Sequence, residues 1–253
     1  MALFTDGAFT SIEDLRGHDT QLLNVATVEG IDVTRKLALA QEELGIEVEG
    51  LLSRLRTPLL LGGLNGAPDI HQVVVTAPLK LWHSFRTLEM VYGDAYNSQL
   101  NDRYAGRRDE FHERVKWAYD RVIQDGLGIV WNPVRQAVTP VPQAAAGGLA
   151  ANTYYLAVAW INAAGEEGAS SKAAVIQVSG TSFSVQTTPP PNVKGWNMYC
   201  GTSPATMTIQ NLTALTPGQT WVQPDTLSAT GRLAGNGQTP NYRLPVPRTI
   251  QRG

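Results

Sequence analysis

The chain has 253 residues, long enough for two domains that each bury a core. With 20 basic and 22 acidic residues its net charge is −2, which excludes the single-sign field of a sequence-reading nucleic-acid protein. The lone cysteine, Cys200, excludes an intrachain disulfide. No apolar run reaches about 18 residues and no charged-then-apolar segment opens the chain, so the expectation is a soluble protein not exported by the usual routes.

Charge divides unevenly along the chain. Through Val134 there are 13 basic and 19 acidic residues, a net of −6; from Arg135 onward there are 7 and 3, a net of +4. The first part is sparse in glycine and proline and the second is not. The division predicts a helical domain over 1–134, a β-sandwich over 135–234 and an extended C-terminal arm over 235–253. The fold class expected is α+β in two domains: an N-terminal helical bundle, then an all-β immunoglobulin-like or fibronectin-like sandwich.

In chain order, the first element is a short helix around Ser11 to Leu15, capped by Thr10 or Ser11 with Asp14 in its first turn. From Val28 to Arg56, Val33, Leu37, Ala40, Leu44, Val48, Leu51 and Leu55 recur at spacings of three and four, one stripe of a helix. Thr57-Pro58 ends it, because proline disfavours helical geometry in the preceding residue. The segment LLLGGLNGAP that follows reads as a turn-rich connection. A helix starting near Thr76 or Pro78 buries Leu81, Phe85, Leu88, Tyr92 and Ala95; another, from about Arg107 to Gln124, turns Phe111, Val115, Ala118 and Val122 inward and stops at Gly126.

After Trp131-Asn132-Pro133 the apolar period changes from 3.6 to 2 residues. TYYLAVAWIN is apolar on both faces, as a central strand should be, and AAVIQVSG and SFSVQT alternate. GWNMYCG and the residues around Thr220–Val222 supply two more strands. From Gly235 the chain is GNGQTPNYRLPVPRTIQRG, without a period.

Chemistry-bearing constellations are missing. His18, His71, His83 and His112 are scattered, with no H-x-x-x-H pair, so no metal or cofactor is expected. Cys200 reads as a small buried apolar residue and not a nucleophile, and no G-x-S-x-G elbow occurs. Glu166 and Glu167 read as a solvated hairpin turn, too few oxygens for calcium. Trp82, Trp117 and Trp131 read as core or interdomain packing. No enzyme is expected.

The segments VVVTAPLKLWHSFRTLEMVYGDAY and LNDRYAGRRDEFHERVKWAYDRVIQDGLGIVWNPV resemble the head-to-tail connector, or adaptor, proteins of tailed bacteriophages. Downstream, YYLAVAWINAAGEEGASS, GWNMYCGTSPATM and LTPGQTW resemble the immunoglobulin-like or fibronectin type III modules appended to virion proteins. The resemblance implies a structural virion protein at the neck, made in the host cytoplasm. It implies a homo-oligomeric ring, a dodecamer in the family, that meets the portal protein and tail or neck proteins and lets DNA pass non-specifically, with no membrane contact.

A ring needs two unlike surfaces on each subunit. One candidate is the acidic set Glu42, Glu43, Glu47 and Glu49. The other is Arg103, Tyr104, Arg107 and Arg108, for which the competing reading is a solvated face with local pairs such as Glu110 with Arg114. In the arm, Tyr242, Leu244, Val246 and Ile250 alternate with Arg243 and Arg248, the pattern of a strand-like peptide laid on a neighbour; the competing reading is a disordered tail. The alternative function is a carbohydrate-binding or adhesion module of the virion surface, stacking sugars on Tyr154, Trp160, Trp196 and Trp221.

Overall fold

A computed structural model describes residues 1–55, 68–99, 102–235 and 237–245. Helices α1 (Ile12–His18), α2 (Leu22–Glu29), α3 (Val33–Leu52), α4 (Ala77–Gln99) and α5 (Ala105–Asp125) precede strands β1 (Leu127–Ile129), β2 (Gln143–Ala145), β3 (Asn152–Ile161), β4 (Ala174–Val178), β5 (Ser182–Gln186), β6 (Gly195–Gly201), β7 (Thr208–Ile209), β8 (Thr220–Val222) and β9 (Asn241–Arg243). The fold is α+β in two parts, a helical part followed by antiparallel sheets. The connection LLLGGLNGAP lies mostly outside the described residues, as do Val246, Arg248 and Ile250.

The chain forms two compact units, one of 1–3 and 132–239 and one of 4–131 and 240–253. The expected boundaries at 134 and 234 are therefore incomplete. Residues 240–245 belong with the helices, and the first three residues of the chain with the sheets.

In the helical unit, local chemistry sets the ends. Ser11 caps α1 with a reciprocal pair: its Oγ accepts from Asp14 N at 3.1 Å and its own N donates to Asp14 Oδ2 at 2.8 Å. The single helix expected from Val28 is two. Gly30, at φ +66°, closes α2, and Asp32 opens α3 by accepting from Arg35 N at 3.1 Å. Within α3 the stripe Val33, Leu37, Ala40, Leu44, Val48 and Leu51 is buried. It packs on α4, whose Leu79, Trp82, Phe85, Leu88, Tyr92 and Ala95 are also buried, while Leu81 is only partly so. Each such large apolar side chain contributes about 1.5–3 kcal/mol relative to exposure. Between α4 and α5, Trp82 meets Tyr119 edge-on with centroids at 5.1 Å, and Tyr92 stacks on Phe111 at 5.6 Å.

Gly126, at φ +88°, ends α5, and β1 follows with all three residues buried. Along one side Val74 N donates to Gly128 O and Val130 N to Gln72 O, both at 2.9 Å; along the other lies β9, antiparallel, with Gly128 opposite Tyr242. This corrects the arm. Its described residues 240–245 return to their own helical unit, because β1 is an apolar strand with an open edge and β9 satisfies that edge's backbone groups.

In the second unit one sheet has the order β2-β5-β8 and the other β4-β3-β6-β7, all pairs antiparallel. A single apolar cluster takes Phe183 and Val185 from the first and Leu156, Val158, Trp160, Trp196, Met198 and Cys200 from the second. At β3 and β6 the opposite face of the four-stranded sheet is buried as well, through Ala157, Ala159 and Tyr199 packed with Met207, which is why β3 is apolar on both sides.

Candidate subunit-contact surface

Among the described residues, the free carboxylates on α3 occupy one edge of the helical unit. Glu42, Ile46 and Glu49 fall at helical spacing in one row, with Glu43 and Glu47 beside it. Ile46 is 72% exposed, an apolar side chain among four carboxylates, and it lines a groove of about 450 Å³ with Leu44, Trp82, Val115, Tyr119 and Lys116. Among the described residues, the carboxylates of Glu42, Glu47 and Glu49 have no hydrogen-bond or ion-pair partner.

Glu43 is committed. Arg86 of α4 donates to it from Nε at 2.8 Å, and to Glu89 at 2.6 Å; Glu89 also meets Nδ1 of His112 on α5 at 2.6 Å. Burial opposes the charge on Arg86, but the bonds to Glu89 and Glu43 outweigh it and raise the guanidinium above its usual pKa. This chain of four side chains spans α3, α4 and α5, and two of its members, Glu43 and Arg86, line both the Ile46 groove and a second one of about 420 Å³. The second groove is polar, lined by Lys36, Asp94, Glu89 and Arg108, with Lys36 and Asp94 paired at 2.5 Å.

The basic candidates are split. Arg107 donates to Glu110 at 2.9 Å, and Arg108 to Asp109 at 2.8 Å while lying 4.3 Å from the Tyr96 ring centroid. Glu110 also takes Arg114 at 2.6 Å, the pair named in the competing reading. Arg103 is exposed, with its guanidinium 5.4 Å from the Tyr104 ring. Tyr104 itself is a correction. It is buried, packs on Tyr92 and donates its hydroxyl to Glu29 at 3.0 Å, so it is a core residue and not a surface contact. Burial raises its phenol pKa, and the bond to Glu29 adds to that. The acidic and basic sets are also less separate than expected, since Arg108 and Glu43 line one groove.

In the return strand Tyr242 and Leu244 are exposed, Arg243 is partly buried, and all three lie along their own chain's β1 edge or just beyond it. The aromatic platform of the alternative function is absent from the surface. Tyr154, Trp160 and Trp196 are buried and Trp221 packs partly buried against the same core. Trp117, expected in packing, is 48% exposed, with Arg121 5.7 Å from its ring centroid.

Glu167 is not a solvated turn residue either. Its side chain is 9% exposed and accepts from Tyr199 Oη at 2.6 Å, from Arg232 at 2.5 Å and from Asn197. Burial and the Glu167 contact push the Tyr199 phenol well up. Cys200 is fully buried and its thiol is pushed up to about 12, which removes thiolate chemistry at neutral pH. Among the described residues no group of three or more His, Cys, Asp and Glu is placed to hold a metal ion, and no helix is long and apolar enough to cross a membrane.

Arg86 and Ile46 were missed from the sequence. Ile46 carried a signal, being an apolar residue off the α3 stripe and inside an acidic face; Arg86 carried only its i,i+3 spacing to Glu89, because its other partner, Glu43, is 43 residues away and only the packing of α3 on α4 joins the two. Comparison with protein-family models and with curated proteins finds no match.

Proposed function

We propose that this chain is a structural, non-enzymatic virion protein, a head-to-tail adaptor whose copies close into a ring between portal and tail and continue the DNA channel. The observation that carries the reading is the α3 edge, where Glu42, Glu47 and Glu49 frame an exposed Ile46 beside an apolar groove. Ile46 and its groove supply the apolar area of a head-to-tail contact, about 25 cal/mol for each Å² removed from water. The carboxylates orient it toward the Arg103, Arg107 and Arg108 end of α5 on the next copy. Solvated ion pairs add only about 0–1 kcal/mol each, so the apolar part dominates affinity.

The acidic helical half suits a conduit, because a wall that does not attract phosphates lets DNA slide through without sticking. The two-sheet unit serves in this reading as an immunoglobulin-like or fibronectin-like module that faces outward or docks a further neck protein. The protein is then made in the host cytoplasm and resides at the virion neck, without cofactor or membrane contact. Assembly of particles in the absence of the polypeptide tests the reading: filled heads and free tails that fail to join support it. Normal joining, or turnover of a substrate by the isolated chain, rejects it.

A further inference from the structure

The two sheets of the second unit leave four edges, and three of them are guarded. The β7 edge is covered by 232–234 of the same chain, where Ile209 N donates to Arg232 O at 3.0 Å and Ala234 N to Met207 O at 2.9 Å. Strand β2 is three residues long and follows Pro140 and Pro142; β8 is equally short and runs within two residues into Pro224. Short edges, prolines and covering segments are the usual defences of a sheet against unwanted pairing.

The fourth edge, β4, has none of them. Its sequence is Ala-Val-Ile-Gln-Val, five residues without proline or charge, paired to β3 on one side and, among the described residues, to no strand on the other. Val175 is 54% exposed and Gln177 is exposed, both on the outer face of the sheet, while Ile176 and Val178 turn toward the core.

We propose that β4 is a self-pairing edge, through which two copies of this chain join their four-stranded sheets antiparallel about a two-fold axis at Ile176. That axis sets Ala174 against Val178 and Val175 against Gln177 of the other copy, so core-facing and outward-facing side chains stay in phase across the junction. Charge selects the same occupant. No charged residue lies between Lys172 and Lys194, and the axis places each Lys172 opposite Gly180 of the other copy. At ~3.4 Å per residue the two Lys172 side chains then sit roughly 27 Å apart, well beyond a screening length of ~8–10 Å. A neutral strand gains nothing from a charged partner, and the apolar spacing that matches it is its own. The contact is isologous and stops at two, so it is separate from the head-to-tail contact of a ring and does not rest on it.

The test is the sedimentation mass of the full chain at rising concentration. The comparison is between wild type, a variant with Val175→Lys and Gln177→Lys, and one with Val175→Lys and Gln177→Glu. In the first variant the axis sets the introduced lysines of the two copies against each other; in the second it sets a lysine of one copy against a glutamate of the other. Both substituted positions are exposed on the outer face of the sheet, and loss of fold would affect both variants alike. The expected result is a wild-type mass twice that of the double-lysine variant, with the lysine–glutamate variant returning to the wild-type value. The ratio of two holds whether the unit that pairs is one chain or a closed ring, so the outcome is distinct from the success or failure of ring formation. Equal masses for wild type and the double-lysine variant overturn the proposal, as does a lysine–glutamate variant that stays at the lower mass.

Discussion

Arg86 holds Glu43 by two of its nitrogens, Nε at 2.8 Å and a terminal nitrogen at 2.7 Å, and so locks α4 to α3 along the wall shared by two grooves. Replacing it by alanine leaves Glu89, whose side chain is only 13% exposed, with His112 as its remaining partner. Arg86→Ala is expected to cost about 1–2 kcal/mol of stability, read as a lower urea midpoint with an unchanged slope. Arg86→Lys keeps the charge but not the two-point geometry, and falls between.

Tyr92 donates its hydroxyl to Asp19, and both are buried. The phenol is driven upward by burial first and by Asp19 second, so it stays protonated and donating across the working pH range. Tyr92→Phe removes the donor and leaves one carboxylate oxygen buried with no partner from this side chain. A loss of about 1–3 kcal/mol follows, measurable as a lowered thermal midpoint.

The return of the chain onto β1 depends on a close backbone approach. A Cβ at Gly128 would lie 2.9 Å from both Pro240 Cβ and Thr76 Cγ2. Gly128→Ala therefore forces β9 or the residues before α4 to shift, at a cost of about 1–3 kcal/mol. Amide hydrogen exchange should show faster exchange at β1 and β9 in this variant, with the two-sheet unit unchanged.

Acid should weaken the helical unit through its buried histidine. His83 is fully buried, donates Nε2 to Leu37 O at 3.0 Å and keeps Nδ1 buried without a partner among the described residues. Burial lowers its pKa below the usual 6.5, as it does for His18. The unfolded chain then binds more protons than the folded one just below 6.5, so stability present at higher pH is lost as the pH falls through that value toward the folded pKa. Stability followed from neutral pH downward should decline, and His83→Leu should flatten part of the decline. A profile that is level across that window would contradict the assignment.

The α3 stripe was legible because six buried positions obey one period, and β3 because burial on both faces leaves a run with no polar alternation. What escaped was decided by distant partners. The Leu22–Glu29 helix is short, has no side-chain cap at Gln21, and hid behind the longer stripe that follows. Tyr104 sits among arginines and looked superficial, yet Glu29 receives its hydroxyl from 75 residues away in sequence. The three-residue β9 has no period of its own, and its pairing follows from the open edge of β1, more than a hundred residues upstream. At the candidate surface the carboxylates were readable one by one, whereas the groove beside Ile46 exists only once Val115 and Tyr119 of α5 are brought to α3.

The central claim, that the Ile46 edge of one copy closes against the next, is tested most directly by negative-stain imaging of the purified chain beside an Ile46→Asp variant. A buried carboxylate in place of the isoleucine should weaken each contact at least tenfold, a difference of about 1.4 kcal/mol or more. Because Ile46 is exposed in the single chain, the variant's thermal midpoint should fall only slightly, through like-charge repulsion from Glu42, Glu43 and Glu49. The account expects closed annuli from the wild type and single chains from the variant. Wild-type particles that stay single at every concentration, or annuli equally abundant in Ile46→Asp, contradict it.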